Sequence, residues 1–162
     1  MATLNYILTL LAIIGTGLIA GTFFVFSVAI MPAFRRLPGA EGLAAMQSIN
    51  VVIQNPIFLG VFMATALISL ILAGMSLWNW NTPQSYYILA GTALYVVGSF
   101  LLTIVFNVPL NNALDAADAT SATGQEFWQN YLTNWTFWNH IRTVASILST
   151  AAFALAFAEA RA

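Results

Sequence analysis

The chain has no cysteine and no lysine, a single histidine, and only nine charged residues among 162: four Arg and five Asp or Glu, for a formal charge of −1. Without cysteine there is no disulfide, no thiolate metal site and no cysteine nucleophile. One histidine excludes a haem held between two imidazoles. The four arginines form no basic stripe, which excludes a nucleic-acid partner. Soluble domains spend about a quarter of their residues on charge; a chain with 6% cannot cover a surface that faces water. What it has instead is apolar, at 60% of all residues, too much for a disordered chain.

The charges fall in clusters that leave three long gaps, residues 1–34, 42–114 and 143–158, and around these gaps lie four segments with enough apolar residues to cross a bilayer, about 20 at 1.5 Å per residue. The expected spans are residues 4–30, 56–77, 86–106 and 135–158. Met31, Pro32 and the pair Arg35 and Arg36 end the first; it lacks a positive start and is too long for a signal core, so it is read as a retained span. Trp78 and Trp80 close the second and Tyr86 and Tyr87 open the third, as expected of an interfacial aromatic belt. Asn107 and Pro109 are expected to interrupt the third, because proline donates no backbone hydrogen bond.

Between spans one and two, the spacing of Leu43, Met46, Ile49 and Ile53 predicts a short amphipathic helix lying in the membrane interface. Between spans three and four, Ala119 to Gly124 reads as a solvated turn, and Glu126 to Trp138 as a helical extension feeding the last span. The second connection, Asn79 to Ser85, is short. The fold class is therefore all-α: a single-domain integral membrane four-helix bundle, multi-pass, in contact with lipid. Arg35, Arg36 and Arg142 lie on one side, with Arg161 and the amino terminus on the other, and the positive-inside tendency puts both termini outside the cytoplasm. No repeat marks an inverted-repeat transporter, and one span arginine without an intramembrane acid makes a poor ion path. Gly17 and Gly21 match the small-xxx-small pattern of close helix packing, within the chain or in a homodimer.

Polar side chains inside a span have to face protein or water. Gly91, Tyr95, Ser99, Thr103, Asn107, Asn111 and Asp115 form an unbroken i+4 row, whose early members suit helix contacts and whose two asparagines bracket Pro109. A second seam, Tyr131, Trp135, Asn139, Arg142, Thr143, Ser146, Ser149 and Thr150, falls within about 120° of the last helix. Arg142 is its strongest member: it either snorkels to the headgroups or faces the bundle interior, and its polar neighbours favour the interior. His140 lies about 200° around the helix from Arg142, so both reach one cavity only if the helix is irregular or the cavity wraps around it. A metal at His140 would need Glu126, Asp115 or Asp118, and a haem there would need Met31 or Met46.

Two stretches, NVPLNNAL at Asn107–Leu114 and WTFWNHIRT at Trp135–Thr143, together with the four-span layout, resemble the anthrone oxygenase family, small membrane proteins long catalogued as a domain of unknown function. The resemblance implies oxidation of an anthrone-like polycyclic phenol to a quinone by molecular oxygen, with no established cofactor. The positions it carries over are Asn107, Asn111, Asn112, Trp135, Asn139, His140 and Arg142. In that scheme His140 is the base, since imidazole accepts a proton readily near neutral pH. Arg142 with Asn139 or Asn107 holds the developing oxyanion, and Tyr131, Trp135, Trp138 and Phe106 stack on a flat apolar substrate that enters from lipid. Two other classes remain open at this point: a non-enzymatic subunit of a larger membrane complex, and a membrane protein that holds a redox cofactor or metal.

Overall fold

A computed structural model describes residues 2–78 and 80–160. Met1 and Arg161, on which the expected orientation rests, lie outside the described residues, as do Asn79 and Ala162. Among the described residues, four helices are long and apolar enough to cross a membrane: α1 (Thr3–Phe34), α3 (Pro56–Trp78), α4 (Pro83–Asp115) and α5 (Ala122–Glu159). A shorter helix, α2 (Gly39–Ile53), joins α1 to α3, and no strand occurs among the described residues. The chain is thus a multi-pass, all-helical membrane bundle. Helix α5 packs along both α1 and α4, and α3 closes against the same two.

Both internal prolines leave their helices unbroken, a departure from the expected stop at Asn107 and Pro109. Helix α4 runs on to Asp115, and just before the proline it widens into a π turn over Thr103–Asn107, with a further π segment at Val96–Leu101. Helix α1 does the same over Phe26–Ile30, just before Pro32. A proline removes one backbone donor and crowds the carbonyl four residues back; a turn bonded i to i+5 makes room for the ring without ending the helix. The wider turns also explain why the i+4 row drifts so little: with more residues per turn, every fourth side chain returns close to the same face. Gly91, Tyr95, Ser99 and Asn107 are all buried.

The upper part of the two seams is closed by direct contacts between helices. Ser149 donates to the Gly91 carbonyl (2.7 Å) and Ser146 to Ser99 Oγ (3.0 Å). Thr150 bonds Thr16 Oγ1 (2.9 Å), Thr92 bonds the Ser69 carbonyl (2.9 Å) and Tyr95 the Phe62 carbonyl (3.2 Å). These polar groups hold the bundle together where apolar attraction between helices is weak.

The glycines that permit close approach are not the expected Gly17 and Gly21. A Cβ on Gly21 would meet nothing within 4 Å, and one on Gly17 only the Thr150 methyl at 3.9 Å. A Cβ on Gly98 would lie 2.7 Å from that of Ala145, so the α4–α5 crossing depends on this glycine. Gly98→Val is expected to force the two helices apart and lower stability by about 1–3 kcal/mol, the usual effect of overpacking; thermal unfolding in detergent measures it, and an unchanged midpoint would refute the tight crossing.

Helix α2 is amphipathic as expected, but its apolar face does not rest in lipid. Leu43 and Met46 are fully buried, packed with Phe26, Met31, Trp128, Tyr131 and Trp135, and Ile49 and Ile53 pack against the same cluster. Val51 and Val52 are left on the outer face, 71% and 68% exposed. Helix α2 is a cover over one end of the bundle. The turn that follows α4 is capped: Ser121 Oγ accepts the Gly124 N–H (3.0 Å), and α5 then runs without a break through the expected extension and the fourth span. In the same turn Asp118 accepts from the Thr120 N–H and hydroxyl (both 2.8 Å), which holds its carboxyl below the usual carboxylate range.

Candidate functional site

Beneath α2 lies a cavity of about 330 Å³, in the range of small-molecule sites. Its walls are aromatic: Phe23 and Phe26 of α1, Phe58 and Phe62 of α3, Phe100 of α4 and Trp135 of α5. Met46, Ile49 and Ile53 of α2 complete them. Two groups of polar side chains interrupt this lining, Arg142 with Thr103 and the four carboxamides of Asn50, Gln54, Asn111 and Asn112.

Arg142 is 3% exposed, which excludes a snorkelling role. Its guanidinium lies 4.1 Å from the Phe23 ring centre and 5.3 Å from that of Trp135. Nη1 donates to Thr103 Oγ1 (3.0 Å) and Nη2 to Asn139 Oδ1 (2.7 Å), while Nε is buried without a partner. No carboxylate among the described residues pairs with it. A buried cation left with two neutral acceptors and two ring faces is a costly arrangement, and it leaves positive charge directed at the cavity.

Asn139 holds that cation in place. Its Nδ2 donates to the Phe23 carbonyl and to Ser27 Oγ, both at 2.8 Å, so its Oδ1 is turned toward Arg142. Ser27 sits in the π segment of α1 and Thr103 in that of α4. Both widened turns thus present polar groups to the arginine, one directly and one through Asn139. π turns are common at functional sites for this reason: they re-aim side chains that a regular helix would place elsewhere.

At the α2 end, Asn111 Oδ1 accepts from Tyr131 Oη (2.8 Å) and Trp135 Nε1 (2.7 Å), which fixes the indole as a wall. Asn50 Nδ2 donates to Asp115 Oδ1 (3.1 Å), and Gln54 Nε2 to the Asn50 carbonyl (3.0 Å).

Of the ten residues expected at a site, four line the cavity: Arg142, Trp135, Asn111 and Asn112. Asn139 and Tyr131 stand behind its wall. Asn107 is buried and donates to the Trp135 carbonyl (3.3 Å), with its Oδ1 unpartnered, but it does not line the cavity. Trp138 stacks on Phe106 at 3.7 Å, outside it. His140 is exposed on the other face of α5. That follows from the 200° offset: α5 is regular here, so His140 and Arg142 point apart and the base expected at His140 is not in the cavity. A haem between His140 and a methionine is not assembled either, since Met31 and Met46 are buried in the α2 cluster. Among the described residues no three or more His, Cys, Asp or Glu side chains come together as a metal site. Phe23, Ser27, Asn50, Gln54 and Thr103 were not expected at the site. The spacing of α2 pointed to its apolar face alone, and the π turns that bring Ser27 and Thr103 inward leave no pattern beyond the prolines.

The family model for anthrone oxygenase matches residues 53–152, more than half of the chain. The chain belongs to the anthrone oxygenase family. No curated protein and no solved structure matches it significantly. Within this anthrone oxygenase family member the matched stretch contains Arg142, Thr103, Asn111, Asn112 and Trp135, whereas Phe23, Phe26, Met46, Ile49 and Asn50 lie before it. The cavity is therefore completed by parts of the chain that the family match does not reach.

Proposed function

We propose that this protein is a membrane-embedded oxygenase that oxidises a flat, apolar, ionisable aromatic of the anthrone type with molecular oxygen, and that Arg142 holds the substrate as its oxyanion. The observation that carries the proposal is a buried guanidinium, without a carboxylate partner, directed into an aromatic cavity. The walls provide stacking for a polycyclic ring system, and the exclusion of water strengthens the pull of Arg142 on a negative oxygen.

The reaction needs little more from the chain. Loss of a proton from the CH₂ group of an anthrone gives an anion whose charge rests on the ring oxygen, where Arg142 stabilises it. The anion passes one electron to O₂; the resulting radical and superoxide combine to a peroxide at the same carbon, and loss of water leaves a carbonyl. One O₂ is consumed, CH₂ becomes C=O, and one H₂O is released. No imidazole or carboxylate lines the cavity. The proton therefore leaves by the polar α2 end, where Asp115 stands one hydrogen bond behind Asn50, and one proton returns by the same end to the peroxide anion as water is lost.

Purified protein in detergent is expected to consume one O₂ per anthrone, with matching growth of quinone absorbance, and His140→Ala is expected to retain this activity. Oxygen uptake no faster than in protein-free detergent, or a stable partner subunit that co-purifies with an inactive chain, would overturn the reading in favour of a structural subunit.

A further inference from the structure

The carboxamide end of the cavity has chemistry of its own. Asn111 Oδ1 accepts from both Tyr131 and Trp135, and its Nδ2 group has no hydrogen-bond partner among the described residues. Asn112 faces the same space and is exposed. Gln54 has its Nε2 tied back to the Asn50 carbonyl, leaving Oε1 as an acceptor. Uncharged donors and acceptors thus stand side by side, the set that a hydroxyl group, itself donor and acceptor, satisfies most fully. Behind them Asp115, bonded to Asn50, disfavours any anion at this end. Arg142 favours one at the other.

The two ends are well separated. Thr103, which takes the Arg142 hydrogen bond, and Asn111 lie on the same helix eight residues apart, roughly 10 Å along the axis. The Trp135 indole spans part of that gap, with its Nε1 on Asn111 and its face toward the guanidinium.

Resting on the oxyanion role of Arg142, we infer that Gln54, Asn111 and Asn112 form a second subsite that recognises a neutral hydroxyl on the rim of the ligand opposite its ionised oxygen. The ligand is then a bipolar planar aromatic: anion at one end, hydroxyl at the other. Charge sets its direction in the cavity, and the carboxamides select for the far substituent. Asp115 accepts the Asn50 amide hydrogen bond, so that N–H is not offered to the ligand. Gln54 comes from the end of α2, so the helix that covers the cavity also helps to choose what enters it.

The test uses two unreactive probes that differ only at the far end, 2-naphthoate and 6-hydroxy-2-naphthoate, titrated by their own fluorescence into the full-length protein in detergent. The parent is expected to bind the hydroxylated probe about tenfold more tightly, the scale of one well-made hydrogen bond. In Gln54→Leu/Asn112→Leu that ratio is expected to fall at least about threefold, with only the Asn111 amide left to meet the hydroxyl. Both positions are exposed, and a ratio does not depend on the fraction of protein folded. Arg142→Met is expected to weaken both probes by a common factor and preserve the ratio. Equal affinities in the parent, a ratio that survives the double substitution, or no binding of either probe by protein that consumes oxygen with anthrone would each overturn the subsite. A tenfold ratio in protein without anthrone-dependent oxygen uptake would instead remove the oxygenase reading and leave the subsite standing.

Discussion

Arg142→Met is expected to reduce anthrone-dependent oxygen uptake by about 100- to 1,000-fold, the scale of losing a preorganised donor to a developing oxyanion, while the protein melts no lower than the parent. The second half of this prediction separates function from structure. The guanidinium is buried at 3% exposure with no carboxylate partner among the described residues. An uncompensated buried charge costs several kcal/mol, whereas its bonds to Thr103 and Asn139 each contribute about 1–3 kcal/mol. A methionine of similar length keeps the packing between Phe23 and Trp135 and removes the charge. If the variant were instead inactive because it unfolds at a lower temperature, Arg142 would be a structural residue and the cavity would lose its claim to chemistry.

Asn139→Ala is expected to lose both. One amide bonds the Phe23 carbonyl, Ser27 Oγ and Arg142 Nη2, so its removal leaves three buried groups without that partner and releases α1 from α5 at the π turn. The loss in stability is expected at about 2–4 kcal/mol, on the scale of unsatisfied buried polar groups, and oxygen uptake should fall about as far as in Arg142→Met, because an arginine free to turn no longer faces the substrate oxygen. Thermal unfolding and oxygen uptake, measured on the two variants together, distinguish a positioning residue from the group it positions. An Asn139→Ala variant of full activity and normal stability would contradict the geometry.

Charge-free runs located most of the spans, because such a run has few alternatives in a chain this apolar; the longest, residues 42–114, holds two spans that the aromatics Trp78, Trp80, Tyr86 and Tyr87 divide. The helix wheel found the buried face of α5 for a similar reason: Arg142 shares its face with Asn139 and Ser146, and an arginine bound for the headgroups has no use for such neighbours. The cavity itself was less legible. Asn50 and Gln54 sit in a short helix whose apolar spacing fits a lipid interface and a protein cover equally well; only its packing against Met31, Trp128 and Tyr131 decides between them. Pro32 and Pro109 signalled interruption, whereas the chain widens its turns and continues. That choice depends on tertiary contacts such as those Asn139 makes to α1. His140 was carried by its place in a motif, although the angle between it and Arg142 already argued against a shared cavity. The regular course of α5 places Arg142 on the cavity and His140 on the exposed face.

The account stands most directly on the state of the bound ligand, and the absorption spectrum of anthrone bound to the protein without oxygen reads that state. With the parent protein the spectrum is expected to be that of the ring-oxygen anion at a pH where free anthrone is neutral, and Arg142→Met is expected to return it to the neutral form. A neutral spectrum in the parent, at ligand concentrations that saturate the cavity, would contradict the claim that Arg142 binds the substrate as an oxyanion.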